Sequence, residues 1–338
     1  MDMPLPASDR SLPTLRAGGK TLDATPNRMG WLRPSDPAEP LTTLLARFRH
    51  DGYLFLKGFL GRDEVLEQRR RALGHLGLTE PGTDPRLGVV AKQLPDAGTV
   101  NRRLMEYVRS AAFESFCMTP RLWQFMDGVV GGLSYLHKRK LLRHTLPGQT
   151  TSTPAHYDLV YLRGGTDRLV TSWIPVGDCP TEMGGLVYLE HSHAVGVKLE
   201  AEFATKNAAL TPEDRISAYN KNMAEGGWIS KDLPDMARKF DTRWLVADYE
   251  AGDIVLHSPF MIHAATLNES REGYVRLSTD IRYQNVVDEI DARWNNHWTL
   301  DDMLCGKRKA PDTVRRFVVV VGTAQAFEAN TSTGLSVQ

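Results

Sequence analysis

Residues 153–162 read TPAHYDLVYL and place His156 and Asp158 on either side of one aromatic residue. The apolar and aromatic character of this stretch predicts a β-strand. Side chains of a strand alternate between its two faces, so His156 and Asp158 point one way and Tyr157 the other. Two metal-ligand types then share a surface, and Tyr157 is expected to contribute packing. A His-x-Asp triplet also arises by chance, with a hydrogen-bonded core pair as the alternative.

Short β-prone runs continue from about residue 134, broken by Gly, Pro, Asp and Asn. Such spacing is typical of an all-β sandwich or barrel. Helical patterns precede these runs, and residues 197–240 are polar and helix-prone, which predicts a helical insertion. The expected fold is therefore mainly β with flanking helices. The expected domains are an extended N-terminal arm (1–40), a single domain including the insertion (41–300) and a C-terminal extension (301–338).

The composition limits the classes of function. The chain has 338 residues, 41% apolar and 24% charged, as in soluble globular proteins. Its 41 basic and 41 acidic residues balance, which argues against a nucleic-acid partner. The three cysteines are far apart and form no CxxC pair, as expected for free thiols in a reducing compartment. There is no signal-peptide pattern or long apolar window, so we expect a cytoplasmic protein without a membrane partner.

Two further histidines lie in AGDIVLHSPFMIHAATLN, residues 251–268. His257 and His263 are six residues apart and would share one face of an unbroken strand, although Pro259 between them can interrupt it. Either imidazole can complete a three-ligand site with the His-x-Asp pair. The residues alone leave this choice open.

The next β-prone run alternates between polar and apolar side chains. Arg276, Ser278, Asp280 and Arg282 fall on one face of this run, GYVRLSTDIRYQ (residues 273–284). A polar face lines a cavity when helices cover the opposite face of the sheet. An edge strand with its polar face in water gives the same alternation.

These residue types have a clear chemical use when combined. Two imidazoles and one carboxylate on ferrous iron leave three open positions. A 2-oxo acid can fill two of them and dioxygen the third. The remote carboxylate of the 2-oxo acid then requires a buried cation, and a guanidinium pairs well with it. Arg276, thirteen residues after His263, suits that role.

Five motifs in this order resemble the phytanoyl-CoA dioxygenase family of iron(II)/2-oxoglutarate-dependent oxygenases, over roughly residues 45–290. They are DGYLFLKGFLGRDEV (51–65), HYD (156–158), TSWIPVGDCPTEMGGLVYLEHSH (171–193), AGDIVLHSPFMIHAATLN (251–268) and YVRLSTDIRY (274–283). Each motif alone is weak, but their order and spacing make the match specific. The fold that the resemblance implies is a double-stranded β-helix, or cupin-like jelly roll.

The resemblance also implies site residues. It makes His156, Asp158 and His263 the iron ligands and favours His263 over His257. Arg276 is the implied partner of the 2-oxoglutarate remote carboxylate, and Trp173 an implied wall of that pocket. The family often has Gly-Ser after the distal histidine, whereas here Ala264 and Ala265 follow it and only Thr266 offers a hydroxyl. The family turn PGSH is replaced by EHSH at residues 190–193.

The implied reaction uses iron(II), 2-oxoglutarate and O2 to oxidise a C–H bond of a small-molecule substrate and releases succinate and CO2. Hydroxylation, desaturation, epoxidation and ring closure all stay open, and so does a homodimer. Related halogenases replace the carboxylate ligand by a small residue, so Asp158 argues against halogenation. The alternatives are a non-catalytic metal-binding β-sandwich module and a cupin-type metalloenzyme that does not use 2-oxoglutarate.

Overall fold

Two facing β-sheets form the centre of a computed structural model that describes residues 11–211, 214 and 228–297. The strands are β1 (Arg16–Ala17), β2 (Lys20–Thr21), β3 (Met29–Trp31), β4 (Pro34–Ser35), β5 (Tyr53–Leu56), β6 (Ser134–Leu136), β7 (Leu141–Thr145), β8 (Leu169–Pro175), β9 (Leu186–Leu189), β10 (Trp244–Val246), β11 (Ile254–His257), β12 (His263–Ala265) and β13 (Arg276–Asn285). The larger sheet has the order β4-β5-β11-β8-β13-β6, with β7 also paired to β13. The smaller sheet has the order β12-β9-β10-β3, and β1 pairs with β2.

The described helices lie between successive strands in the chain. They are α1 (Leu41–Asp51), α2 (Arg62–Leu76), α3 (Ala97–Val108), α4 (Ala111–Cys117), α5 (Pro120–Val130), α6 (Leu159–Leu162), α7 (His193–Lys206) and α8 (Leu233–Lys239), with 3₁₀ turns at Thr181–Met183 and Ala292–Trp294. Local chemistry sets several of their ends. The Asp96 carboxylate accepts a hydrogen bond from the Thr99 N–H and caps α3, and Pro120 opens α5.

The alternation of side chains along the strands divides the core into layers. Apolar residues on the outer face of the larger sheet pack against α1 to α5; they include Leu54, Leu56, Leu256, Leu277 and Ile281. Residues on its inner face meet the smaller sheet in a second cluster, which includes Tyr53, Trp173, Tyr188, Leu245 and Val255. Burying each of these side chains contributes about 1.5–3 kcal/mol, so the two sheets are held face to face.

The predicted jelly-roll core with flanking helices is confirmed. Its sheets are mixed, because β3 runs parallel to β10 and β4 parallel to β5, while the other pairs are antiparallel. Strands β1 to β4 come from the segment that was expected to be an N-terminal arm. Strand β3 adds to the smaller sheet and β4 to the larger one, while β1 and β2 pair with each other. Helices α7 and α8 lie in or beside the predicted insertion. The predicted C-terminal extension lies outside the described residues, and no described helix is long and apolar enough to cross a membrane.

The prediction of a strand over TPAHYDLVYL is wrong. His156 makes a single bridge to His263, and Asp158 already has helical backbone angles at the start of α6. His257 and His263 do not lie on one unbroken strand, because the interruption that Pro259 allows does occur. The chain leaves the larger sheet after His257, passes Pro259, and enters the smaller sheet at His263. The two histidines still approach each other, because the two sheets face one another.

Buried Arg69 connects α2 to the sheet. In the basic run EQRRRAL (residues 67–73) of this helix, Arg70 and Arg71 lie on the solvated face and both pair with Glu67. Arg69 is instead 2% exposed. Its guanidinium donates to the carbonyls of Arg86, Leu87, Val176 and Val275 at 2.7–3.0 Å. One side chain therefore satisfies four backbone acceptors around the helix–sheet contact.

We expect Arg69→Met to destabilise the protein by about 3 kcal/mol or more, since it leaves several buried carbonyls without donors. Urea unfolding followed by circular dichroism measures the change. Arg70→Met on the exposed face of the same helix is the matched control and is expected to change the free energy of unfolding by less than about 1 kcal/mol. Equal effects of the two substitutions would contradict the assigned role of Arg69.

Candidate metal centre

A backbone bridge brings His156 and His263 together. The His156 N–H donates to the His263 carbonyl at 3.0 Å, and the His263 N–H donates back at 2.9 Å. The two imidazole rings lie 4.4 Å apart between their centroids, and both side chains are buried. The bridge therefore fixes two residues that are 107 positions apart in the chain as neighbours.

Both imidazoles are held in the same tautomer. The Nδ1 atom of His156 lies 2.8 Å from the Pro154 carbonyl, and that of His263 lies 2.9 Å from the Met261 carbonyl. A carbonyl only accepts, so each Nδ1 carries the proton and each Nε2 keeps its lone pair. Burial lowers the pKa of His156 and holds that of His263 well below the usual value. Both rings are thus neutral and ready to bind a metal.

Asp158 completes the group. Its Oδ1 lies 3.8 Å from the Nε2 atoms of both His156 and His263. The ligand atoms of the three residues all lie within 4.8 Å of one another, and all three residues are buried. Two neutral imidazoles and one carboxylate facing a common point are a donor set suited to a divalent transition metal.

Three groups hold the other oxygen of Asp158. The Oδ2 atom accepts from the Thr171 hydroxyl at 2.5 Å and lies 3.3 Å from Nη2 of Arg282 and 3.4 Å from Nε2 of His257. Burial alone would raise the pKa of Asp158, but the Arg282 charge and the His257 contact hold it well below the usual value. The carboxylate is therefore ionised and oriented, with Oδ1 directed toward the two histidines.

His257 lies behind the group of three. Its Nδ1 is 3.2 Å from the Tyr188 hydroxyl, and its ring centroid is 4.5 Å from that of His263. It contacts the outer carboxylate oxygen of Asp158, whereas His156 and His263 face the inner one. This geometry suits His257 to orienting the carboxylate.

The polar face of β13 lines the interior. This strand is paired with β8 on one side and with β6 and β7 on the other, so the edge-strand alternative is wrong. Arg276, Ser278, Asp280 and Arg282 are all at most 5% exposed. Cross-strand pairing of Ser278 with Arg143 directs Arg143 to the same face, where its Nε donates to Asp280 at 2.8 Å. His144, the next residue on β7, is paired with Leu277 and therefore belongs to the opposite face.

Arg276 is a buried cation without a carboxylate partner in the part of the chain that the structure describes. Its side chain is 1% exposed. Its Nε donates to the Thr145 hydroxyl at 3.2 Å and its Nη1 to the Ser278 hydroxyl at 2.6 Å. Hydroxyl groups orient a guanidinium but do not neutralise it. An isolated buried charge is costly, so this arrangement favours an anionic ligand.

Aromatic side chains enclose the centre. The Tyr161 ring meets His156 edge-on at 5.8 Å, and Trp294 lies 4.7 Å beneath the Arg282 guanidinium. Trp173 is fully buried on β8, where it is paired across strands with Asp280. Its Nε1 has no hydrogen-bond acceptor among the described residues. Thr266 is buried just beyond β12, three residues after His263.

Thr171 was missed in the sequence. It stands two positions before Trp173, so both side chains point to the same face of β8. This shared face was the sequence feature that could have identified Thr171 as a site residue. A buried threonine in a β-strand is ordinary, however, and nothing in the sequence tied it to Asp158.

A comparison with models of protein families identifies the family of this chain. The model described as phytanoyl-CoA dioxygenase (PhyH) matches residues 48–276, more than half of the chain. The chain belongs to the phytanoyl-CoA dioxygenase family. The resemblance seen in the motifs is therefore confirmed, and the matched region contains the three grouped residues and ends at Arg276.

Individual relatives of this phytanoyl-CoA dioxygenase family member are distant. The 1-deoxypentalenic acid 11-beta-hydroxylase of Streptomyces arenae is 25% identical over 243 residues, which are 69% of this chain and 77% of that protein. Among solved structures, the non-heme alpha ketoglutarate dependent carbocyclase SnoK from nogalamycin biosynthesis has a TM-score of 0.50 at 19% identity. That match covers 81% of this chain and 98% of SnoK and shows a shared fold.

We expect Tyr157→Phe to leave metal binding unchanged, because the Tyr157 ring packs in an apolar cluster and its hydroxyl donates to Glu200 at 2.5 Å. Loss of that hydrogen bond should cost about 1 kcal/mol of stability. Asp158→Ala is the matched comparison and should abolish binding. Isothermal titration with Mn²⁺ distinguishes them, and a large loss of affinity in Tyr157→Phe would contradict the assignment.

Proposed function

We propose that this protein is an iron(II)- and 2-oxoglutarate-dependent oxygenase that oxidises a C–H bond of a small organic molecule. The observation that carries the proposal is the buried guanidinium of Arg276, which has no carboxylate partner among the described residues. It lies on the same polar face of β13 as Arg282, which contacts Asp158 of the group His156, Asp158 and His263. A metal group alone suits many enzymes. A metal group with an unneutralised buried arginine suits a ligand that chelates metal at one end and carries a carboxylate at the other.

In this proposal His156, Asp158 and His263 hold the iron. The two free Nε2 atoms and the oriented Oδ1 would be its donors. The carbonyls of Pro154 and Met261 keep both rings in the required tautomer. Thr171, Arg282 and His257 fix the carboxylate. When bound, iron supplies the oxidising power for dioxygen chemistry.

Arg276 is proposed to bind the remote carboxylate of 2-oxoglutarate. Thr145 and Ser278 hold its guanidinium in place before the ligand arrives, so little side-chain entropy is lost on binding. Trp173 and Thr266 are proposed to line the same pocket, and the unpartnered Trp173 Nε1 is available as a donor to the ligand. The buried aromatic walls exclude water, which strengthens these polar contacts.

The substrate is proposed to be a small organic molecule, and hydroxylation is the favoured outcome. The curated relative is named as a hydroxylase of 1-deoxypentalenic acid, which supports both statements by analogy. The alternatives fail on particular residues. A non-catalytic module has no need of Arg276, and a metalloenzyme that does not use a 2-oxo acid leaves that charge unpaired.

Anaerobic titration tests the assignment. Iron(II) and 2-oxoglutarate together should give a visible metal-to-ligand charge-transfer band in the wild type. His156→Ala should remove the band, and Arg276→Gln should shift its 2-oxoglutarate dependence to at least about tenfold higher concentration, the equivalent of one charged hydrogen bond. Arg143→Gln is the control on the same wall, because Arg143 is already paired with Asp280. Absence of any band from folded, metal-loaded wild type would refute the proposal.

Arg282→Gln separately tests the positioning of Asp158. Removing the charge beside Oδ2 should weaken metal binding about 10–100-fold, as is usual for partners of metal ligands. Arg139→Gln is the control. The Arg139 guanidinium lies over the same Trp294 ring at 6.0 Å, but among the described contacts the arginine beside Asp158 is Arg282. Competition with a fluorescent chelator measures both affinities. Unchanged affinity in Arg282→Gln would exclude the positioning role.

A further inference from the structure

A second cluster of metal-binding side chain types lies outside the centre described above. His50 and Asp51 end α1, and His191 follows β9. One ligand atom from each residue lies within 4.8 Å of the other two. The three residues line a cavity of about 220 Å³, which is large enough for a hydrated ion. The iron centre proposed above contains none of them.

His191 occupies this position with an unfavourable backbone. Its φ is 55°, in the left-handed region, which residues other than glycine enter at a cost. The family pattern PGSH has glycine here, and this chain has EHSH. Backbone strain of this kind is concentrated at functional sites, so the His191 side chain is a candidate for a function. The His191 ring lies 5.4 Å from that of His50, in edge-to-face contact.

The charges around the cavity permit a cation. Arg33 and Arg243 both line it, but each is already paired with a carboxylate. Arg33 lies 2.5 Å from Oδ2 of Asp51, and Arg243 binds Glu190 through two contacts at 2.7 and 2.9 Å. The four charges cancel. The remaining oxygen of Asp51, Oδ1, faces Nδ1 of His50 at 2.6 Å.

The fold holds the two halves of this cluster against each other. Gly52 ends α1 with a φ of 76°, and a side chain there would meet the His193 ring at 2.6 Å. This close approach joins the turn between α1 and β5 to the turn between β9 and α7. Strand β5 belongs to the larger sheet and β9 to the smaller one. The cluster therefore joins a turn next to one sheet with a turn next to the other.

We propose that His50, Asp51 and His191 form a second metal site, for a divalent transition metal, with Zn²⁺ as the best-suited ion. Two imidazoles and one carboxylate are common zinc ligands, and the open side toward the cavity leaves room for water. Exposure of both histidines allows the small rotations that metal geometry needs. A bound ion links the two sheets and stabilises the folded state by mass action.

The test compares Zn²⁺ stoichiometry between variants of the full chain, by equilibrium dialysis and metal analysis. The wild type should bind one equivalent more than His191→Gly. The glycine variant relieves backbone strain, so it is expected to fold. Zn²⁺ should raise the melting temperature of the wild type more than that of the variant. His75→Gln is the control, since His75 lies near Glu106 in an ordinary surface pair and should bind Zn²⁺ like the wild type.

Equal stoichiometry in His191→Gly and the wild type overturns this second site. Loss of an equivalent in His75→Gln as well also overturns it, because binding would then be unspecific. The comparison is independent of the proposed oxygenase activity. The iron centre is intact in all three proteins, so its own occupancy by Zn²⁺ adds equally to each count and cancels in the difference.

Discussion

The paired backbone hydrogen bonds between His156 and His263 are the constraint on which the candidate metal centre depends. They join the segment after β7 to the first residue of β12, and they fix two imidazoles beside each other without using either ring. Each ring is then free to bond a carbonyl through Nδ1 and to present Nε2. The backbone of the jelly roll thus sets the positions of the two histidines, and side-chain contacts orient Asp158.

Charge distribution explains why the interior can hold so many polar groups. Asp158 is balanced by Arg282, and Asp280 by Arg143, whereas Arg276 contacts only hydroxyls among the described residues. Burial is tolerable for the paired charges and expensive for the unpaired one. We propose this unpaired charge as the partner of a dicarboxylate co-substrate. In that proposal, a metal ion beside Asp158 and a carboxylate beside Arg276 would balance the charges of this interior.

Much of this arrangement could be predicted from the sequence, because it follows from strand alternation. The polar face of β13 follows directly from its two-residue period, and the order of the motifs indicated the fold. The path of the chain was less accessible. HYDLVYL has the composition of a strand, yet Asp158 begins a helical turn. His257 and His263 belong to different sheets. The sequence did not show this, because no local pattern reveals that a chain moves from one sheet to another. The contacts of Asp158 with Arg282 and Thr171 join different segments of the chain, so they could not be inferred from the sequence.

A crystal structure of the anaerobic complex with Mn²⁺, as a redox-silent substitute for iron(II), and 2-oxoglutarate tests the central claim most directly. We expect the metal to be bound by Nε2 of His156, one oxygen of Asp158 and Nε2 of His263. We also expect the remote carboxylate of 2-oxoglutarate on the Arg276 guanidinium. A metal held by His257 in place of His263, or a remote carboxylate paired with Arg282 and leaving Arg276 unpaired, would contradict this assignment.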